Sequence, residues 1–113
     1  MLVVDDDDDV RRAICQFLED EECDAVAVGN GDEALRALRS GDPLPCLIFL
    51  DLMMPVMDGW QFRRSQLSDP ALADIPVVVI SAFGRDARSI DSSAFLPKPF
   101  RGDELMTFVH KFC

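Results

Sequence analysis

The sequence predicts a single α/β domain in which helices cover both faces of a doubly wound parallel sheet. Short apolar runs alternate with segments of helical periodicity along the chain, and runs such as Val77-Val78-Val79-Ile80 are apolar throughout, without alternation. Strands of that kind are buried on both faces, as happens when crossover helices lie above and below a parallel sheet. The runs also end in a recurrent way: Leu2-Val3-Val4 leads into Asp5-Asp6, Cys46 to Leu50 into Asp51, Val77 to Ile80 into Ser81, and Ala94-Phe95-Leu96 into Pro97-Lys98. In a parallel sheet these ends lie along one edge, so carboxylates, a hydroxyl and an ammonium share one crevice.

The first strand is Leu2 to Val4. Val10, Ala13, Ile14, Phe17 and Leu18 then recur at the spacing of one helix face, predicting a first helix from about Asp8 to Glu21, with Asp7 or Asp8 as its cap. Ala25 to Val28 is a short second strand closed by Gly29-Asn30-Gly31, and Ala34, Leu35 and Leu38 mark a second helix stopped by Ser40-Gly41-Asp42-Pro43. The third strand, Cys46 to Leu50, is followed by a loop from Leu52 to Asp58 and a third helix from Gly59 to about Leu67, with Asp58-Gly59 as turn and helix start. The fourth strand is Val77 to Ile80. Thirteen residues separate Ser81 from Phe95, which leaves room only for a short or irregular fourth helix near Ala87 to Asp91. Phe83 to Ser93 is expected to be the most mobile stretch, since Gly84, Asp86, Ser89, Ser92 and Ser93 favour turns and Ile90 is its main apolar anchor. Pro97 has no N–H to give a ladder, so the fifth strand belongs at a sheet edge. Leu105, Phe108, Val109 and Phe112 define the last helix.

At 113 residues, with 49% hydrophobic and 28% charged side chains, the chain reads as one domain over residues 1–113. Its apolar runs are too short to cross a bilayer, and Met1-Leu2-Val3-Val4 lacks the basic start and long apolar stretch of a secretion signal, which implies a cytoplasmic protein without membrane contact. A net charge of -10 repels a phosphate backbone and argues against direct nucleic-acid binding. Cys15, Cys23, Cys46 and Cys113 show no C-x-x-C spacing and His110 has no second ligand nearby; the expectation is reduced thiols, with Cys15 and Cys46 in the core, and no zinc. The spaced acids, central glycine and terminal Glu of a helix-loop-helix Ca²⁺ loop are missing. Met53, Met54 and Met57 read as loop packing.

Asp5-Asp6 after the first strand, Asp51-Leu52-Met53-Met54-Pro55-Val56-Met57-Asp58-Gly59 after the third, Ser81-Ala82 after the fourth and Lys98-Pro99-Phe100 after the fifth together resemble the receiver domain of bacterial two-component response regulators and hybrid sensor kinases. The resemblance spans essentially the full chain. It implies a flavodoxin-like strand order 2-1-3-4-5. It further implies that Asp51 is the phosphoacceptor, that Asp6, Asp51 and the main-chain carbonyl of Met53 ligate Mg²⁺ with Asp5 acting through water, and that Ser81 and Lys98 hold the phosphoryl oxygens. Clustered carboxylates fit this, because they would raise each other's pKa unless a hard divalent cation joins them. The Lys98-Pro99 bond would be cis, Ser81 and Phe95 would form the switch pair, and the short fourth helix, fifth strand and last helix would form the face that changes shape. Plain core is the alternative reading of Phe95. The implied partners are a histidine kinase or histidine phosphotransfer protein, and a second copy in a phosphorylation-dependent dimer.

Two other functions were weighed against this switch. An Asp-nucleophile phosphohydrolase of the haloacid-dehalogenase type needs a second Asp two residues on, where this chain has Met53. A receiver-like scaffold that is never phosphorylated usually lacks an acid or the Lys, and here none is missing. Met53 and Phe83 offer bulk but no strong hydrogen-bond partner beside the route of an attacking water, so self-dephosphorylation is expected to be slow; the alternative is that both side chains point to solvent and leave the rate to the partner kinase. The chain reads as a stand-alone receiver or a receiver segment of a hybrid sensor kinase, the short start before the first strand favouring the second. Arg101, standing where a small polar helix cap is expected, and Arg63 and Gln66 on the third helix, where apolar residues are usual, have no explanation in the sequence.

Overall fold

The computed structural model describes residues 1–40, 44–82 and 90–113. Within them the elements run β1 (Leu2–Val4), α1 (Asp8–Asp20), β2 (Val26–Val28), α2 (Gly31–Ser40), β3 (Ile48–Asp51), α3 (Gly59–Leu67), β4 (Val77–Ser81), β5 (Ala94–Pro97) and α4 (Gly102–Phe112). The five strands form one sheet with every pair parallel, in the order β2-β1-β3-β4-β5 that the resemblance implies. The Pro97 strand is at an edge. The fourth helix and the mobility expected between Phe83 and Ser93 fall largely on residues 83–89, outside the described residues.

Side-chain alternation along the strands divides the core between the two faces of the sheet. Leu2, Val4, Ile48, Leu50, Val77 and Val79 face α2 and α3, where they meet Ala34, Leu35, Leu38 and Phe62. Val3, Leu47, Phe49, Val78, Ile80 and Leu96 face the other way, onto Ile14 and Leu18 of α1 and Leu105 and Val109 of α4. Apolar residues at successive positions of β1, β3 and β4 therefore serve two layers of helices.

Caps fix where the helices start. The Asp7 carboxylate accepts from the N–H groups of Asp9 and Val10, and Asn30 Oδ1 accepts from Glu33 N at 2.9 Å. Asp58 and Gln61 cap α3 reciprocally: Asp58 Oδ1 accepts from Gln61 N at 2.9 Å and Gln61 Oε1 from Asp58 N at 3.0 Å. Arg101 has no oxygen to offer, and Glu104 Oε1 takes over by accepting from Arg101 N at 2.9 Å.

The structure overturns the thiol assignment. Cys46 is exposed and bonded to Cys113 across a sequence separation of 67, while Cys15 is only half-buried and free, as is Cys23. The apolar run starts at Cys46, whereas the strand begins two residues later at Ile48. Cys46 consequently lies at the amino-terminal edge of the sheet, where the end of α4 arrives.

The polar residues of α3 also find their reason. Gln66, fully buried, donates from Nε2 to the carbonyls of Leu72 at 2.9 Å and Ile75 at 3.1 Å, and accepts from Arg63 Nη1 at 2.8 Å. Arg63 Nε donates to the Asp91 carbonyl at 2.6 Å. Among the described residues no buried side-chain nitrogen or oxygen lacks a partner. Replacing Gln66 by Leu takes a donor from the carbonyls of Leu72 and Ile75 and the acceptor from Arg63 Nη1 at once, so Gln66→Leu is expected to lower stability by roughly 2–4 kcal/mol, against about 1 kcal/mol for removing the Asp58 cap in Asp58→Ala. Urea unfolding of the two variants checks the ranking; equal losses would mean that the network contributes no more than a cap.

Candidate functional site

β1, β3, β4 and β5 each deliver one polar group to the carboxyl edge of the sheet. Asp5 follows β1 and is 2% exposed; Asp51 ends β3 and is 8% exposed; Ser81 ends β4, buried; Lys98 follows β5. Register sets their levels, since Asp51 is level with Ile80 and Ser81 with Pro97. Lys98 N donates to the Ser81 carbonyl at 3.0 Å, which extends the ladder by one residue and brings the lysine to the site. The Lys98-Pro99 bond is cis.

Carboxylate oxygens of Asp5, Asp6 and Asp51 all lie within 4.8 Å of one another. Lys98 Nζ donates to Asp5 Oδ2 at 3.0 Å and stands 3.7 Å from Asp51 Oδ1. Asp5 Oδ1 accepts from Asp7 N at 2.9 Å, so both Asp5 oxygens are engaged, while Asp6 is exposed. Burial first and the Asp5 charge second push the Asp51 carboxyl up to about 6; Asp6 adds to this, and Lys98 and the Leu52 N–H oppose it. Burial alone would lower Lys98, but its hydrogen bond to Asp5 and the charges of Asp51, Asp5 and Asp7 outweigh it and hold the ammonium above its ordinary value.

The loop after Asp51 is pressed against two helix starts. A Cβ on Gly59 would lie 2.7 Å from the Asp51 carbonyl oxygen, closer than such contacts occur, and Gly59 N donates to Leu52 O at 2.9 Å. On the opposite side of the loop, Gly31 N donates to Met57 O at 2.9 Å. Between them Val56 adopts a φ of 66°, a strained value for a β-branched residue, inside a tight turn closed by Met57 N and Pro55 O. Met54 and Met57 pack against the core, as expected of loop methionines, whereas the Met53 side chain is 54% exposed. Phe83, its expected companion in excluding water, is outside the described residues.

Of the residues expected at the site, Asp5, Asp6, Asp51 and Lys98 converge, with Ser81 on the neighbouring strand end. Phe95 is level with Val79, two positions below, partly buried against the core on the α2 and α3 side. Arg11 escaped the sequence reading. Its Nη1 donates to the Asp5 carbonyl at 2.7 Å and its Nη2 pairs with Asp8, so it ties the Asp5-Asp6 turn to α1. The readable signal was a basic residue near the positive end of a helix, where the dipole disfavours it.

The family model of the response regulator receiver domain matches residues 1–110. Response regulator Rre1 of Synechocystis sp. is 36% identical over 115 residues, covering 96% of this chain and 49% of Rre1, so the chain spans about half the length of that relative. The signal receiver domain of a signal transduction histidine kinase from Syntrophus aciditrophicus is similar in structure, with a TM-score of 0.88 and 31% identity over 98% of this chain and 86% of the other. Response regulator TrrA of Thermotoga maritima, solved in complex with Mg²⁺-BeF, has a TM-score of 0.87 and 26% identity over 99% of this chain and 96% of its own.

The raised Asp51 value has a signed consequence for stability. A carboxyl that holds its proton more tightly when folded costs nothing below its unfolded pKa of 3.8 and its full penalty above about 6, so its contribution falls as pH rises between those values. Without divalent cations, Asp51→Asn is expected to be more stable than the parent by about 2 kcal/mol near neutral pH, with the gap closing by about pH 4. Chemical unfolding across that range tests this; a variant less stable than the parent at neutral pH would contradict the crowding.

Proposed function

Because the chain belongs to the response regulator receiver domain family, we propose that it is a phosphoacceptor switch in which Asp51 takes a phosphoryl group from the phosphohistidine of a histidine kinase or histidine phosphotransfer protein. The observation that carries this reading is the convergence on Asp51 of two further carboxylates and the Lys98 ammonium from separate strand ends. An Asp51 oxygen forms the new bond to phosphorus as the bond to the imidazole nitrogen breaks, leaving an acyl phosphate on the protein. Without a cation, burial and the Asp5 charge push the Asp51 carboxyl up to about 6, and positive charge beside it favours the ionised form that attacks. Lys98, already 3.7 Å from Asp51, offers positive charge to the phosphoryl oxygens, with the Ser81 hydroxyl as a second contact.

The donor set fits Mg²⁺. It is all oxygen, it is crowded enough to favour a cation, and Asp6 is exposed at its mouth. Asp6, Asp51 and the Met53 carbonyl would hold the ion directly and Asp5, whose oxygens already carry hydrogen bonds, through water. When bound, the ion screens the carboxylate from the incoming phosphoryl group and stabilises charge on its oxygens. Ser81 and Phe95 are the switch residues of this reading, and their movement biases a two-state equilibrium at the face of β4, β5 and α4, which can support a dimer. Slow self-dephosphorylation belongs to the same reading. The charge of -10 supports a domain that leaves nucleic acid alone, and among the described residues no helix is long and apolar enough to cross a membrane; both accord with cytoplasmic work as a single receiver unit over residues 1–113.

Incubation with acetyl phosphate and Mg²⁺ is expected to add the mass of one phosphoryl group to the parent and none to Asp51→Asn. Stoichiometric label in that variant would move the phosphoacceptor elsewhere. Millimolar Mg²⁺ is expected to raise the thermal midpoint by mass action, with the rise lost in Asp6→Ala. An identical response in the parent and Asp6→Ala would remove Asp6 from the metal site.

A further inference from the structure

The disulfide occupies a position that the phosphoacceptor chemistry does not use. Asp51 ends β3, and Cys46 lies two residues before the start of the same strand. Lys98 follows β5 and leads within four residues into α4, whose C-terminal neighbour is Cys113. β3 and the β5–α4 unit are thus joined twice: by the Asp51–Lys98 ion pair at the carboxyl edge of the sheet and by the Cys46–Cys113 bond at the amino edge. The two Cα atoms are 5.4 Å apart, a separation a disulfide spans without moving the backbone, so the thiols stay neighbours when the bond opens.

Exposure separates this pair from a structural bridge. Both cysteines are exposed, open to exchange with small thiols, and an exposed bond of this kind is reduced in a thiol-rich compartment until oxidant accumulates. The other two cysteines are half-buried, and burial, then the Glu19 charge, push the Cys15 thiol up, which slows its reaction.

We propose that Cys46 and Cys113 form a reversible thiol–disulfide modification site, oxidised by a low-molecular-weight disulfide of the glutathione class, that latches the end of α4 to the start of β3. One cysteine thiolate attacks the oxidant's S–S bond and releases one thiol, leaving a mixed disulfide; the second cysteine thiolate attacks that bond, forms Cys46–Cys113 and releases the other thiol. Two electrons pass to the oxidant, and the two protons lost by the cysteines end on the released thiols. The site stands independently of the phosphoryl chemistry, because its readout is thiol chemistry and stability.

The test equilibrates the folded chain with oxidised or reduced glutathione, blocks free thiols, and maps them by mass spectrometry. The expected result is a Cys46–Cys113 peptide with Cys15 and Cys23 blocked after oxidation, four blocked thiols after millimolar reduced glutathione, and a monomer throughout. The thermal midpoint is expected to fall on the order of 10 °C on reduction. Cys46→Ser is expected to show the reduced midpoint whatever the glutathione state, and Cys15→Ser to behave as the parent. Four free thiols after oxidation, a glutathione adduct or cross-linked dimer in place of the internal bond, or a bond that resists millimolar reduced glutathione in the folded protein would each overturn the proposal.

Discussion

The crowding of Asp5, Asp6 and Asp51 at one edge of the sheet is the constraint on which the rest of the structure depends. Two like charges about 4 Å apart repel by roughly 1 kcal/mol in water and about 4 kcal/mol at the effective dielectric of a protein surface, and Asp51 is nearly buried. A flexible scaffold would relieve such repulsion by letting the carboxylates separate. Here Asp51 ends β3 and Asp5-Asp6 follow β1, both strands buried on both faces, so the sheet holds the acids together; burial first and the Asp5 charge second then push the Asp51 carboxyl up. Lys98 removes part of that shift, and the choice of Asp5 as its closer partner, 3.0 Å against 3.7 Å, leaves Asp51 the less compensated of the two.

The same constraint explains the local detail around the edge. Gly59 lets α3 begin against the backbone of Asp51 and Leu52, where any side chain would force the strand end away. Arg11 holds the carbonyl of Asp5, fixing the turn that carries two of the acids to the helix that follows it. Val56 bears the backbone strain of the loop at a place where its side chain is 81% exposed. The walls of the site are thereby fixed by backbone contacts, and the strained φ beside it falls on an exposed residue of the loop.

What the sequence made legible followed from periodicity and from position. Short runs apolar at every residue, alternating with helix faces such as Val10, Ile14 and Leu18 and bounded by turn residues, agreed with strands of a covered parallel sheet, so element types and the polar strand ends were readable together. Cys46 misled because it is apolar and continuous with Leu47 to Leu50, although it precedes the strand; its pairing with Cys113 depends on where α4 ends relative to the sheet, which no local pattern records. Arg63 and Gln66 were opaque for a related reason. Their partners are main-chain carbonyls of irregular segments, and a carbonyl in need of a donor leaves no mark on the side-chain pattern.

That buried network bears on how the Ser81 end of the site is positioned. β4 is entered from the turn that carries Leu72 and Ile75, and β5 from the segment that carries Asp91 and Ser93, with the β4–β5 connection between them too short for a long helix to brace. Gln66 collects the two carbonyls on the approach to β4, and Arg63, bonded to Gln66, collects the Asp91 carbonyl before β5. Ser93 then closes the base of the two strands, its N–H donating to Val77 O at 2.9 Å and its hydroxyl accepting from Val77 N. Pinned at that end, β4 and β5 have one register, and that register sets Ser81 level with Pro97 and delivers Lys98 to the acids. A polar cluster in the core beside α3 thus does for the short connection what apolar packing does elsewhere, because carbonyls that leave a sheet must be hydrogen-bonded wherever they are buried.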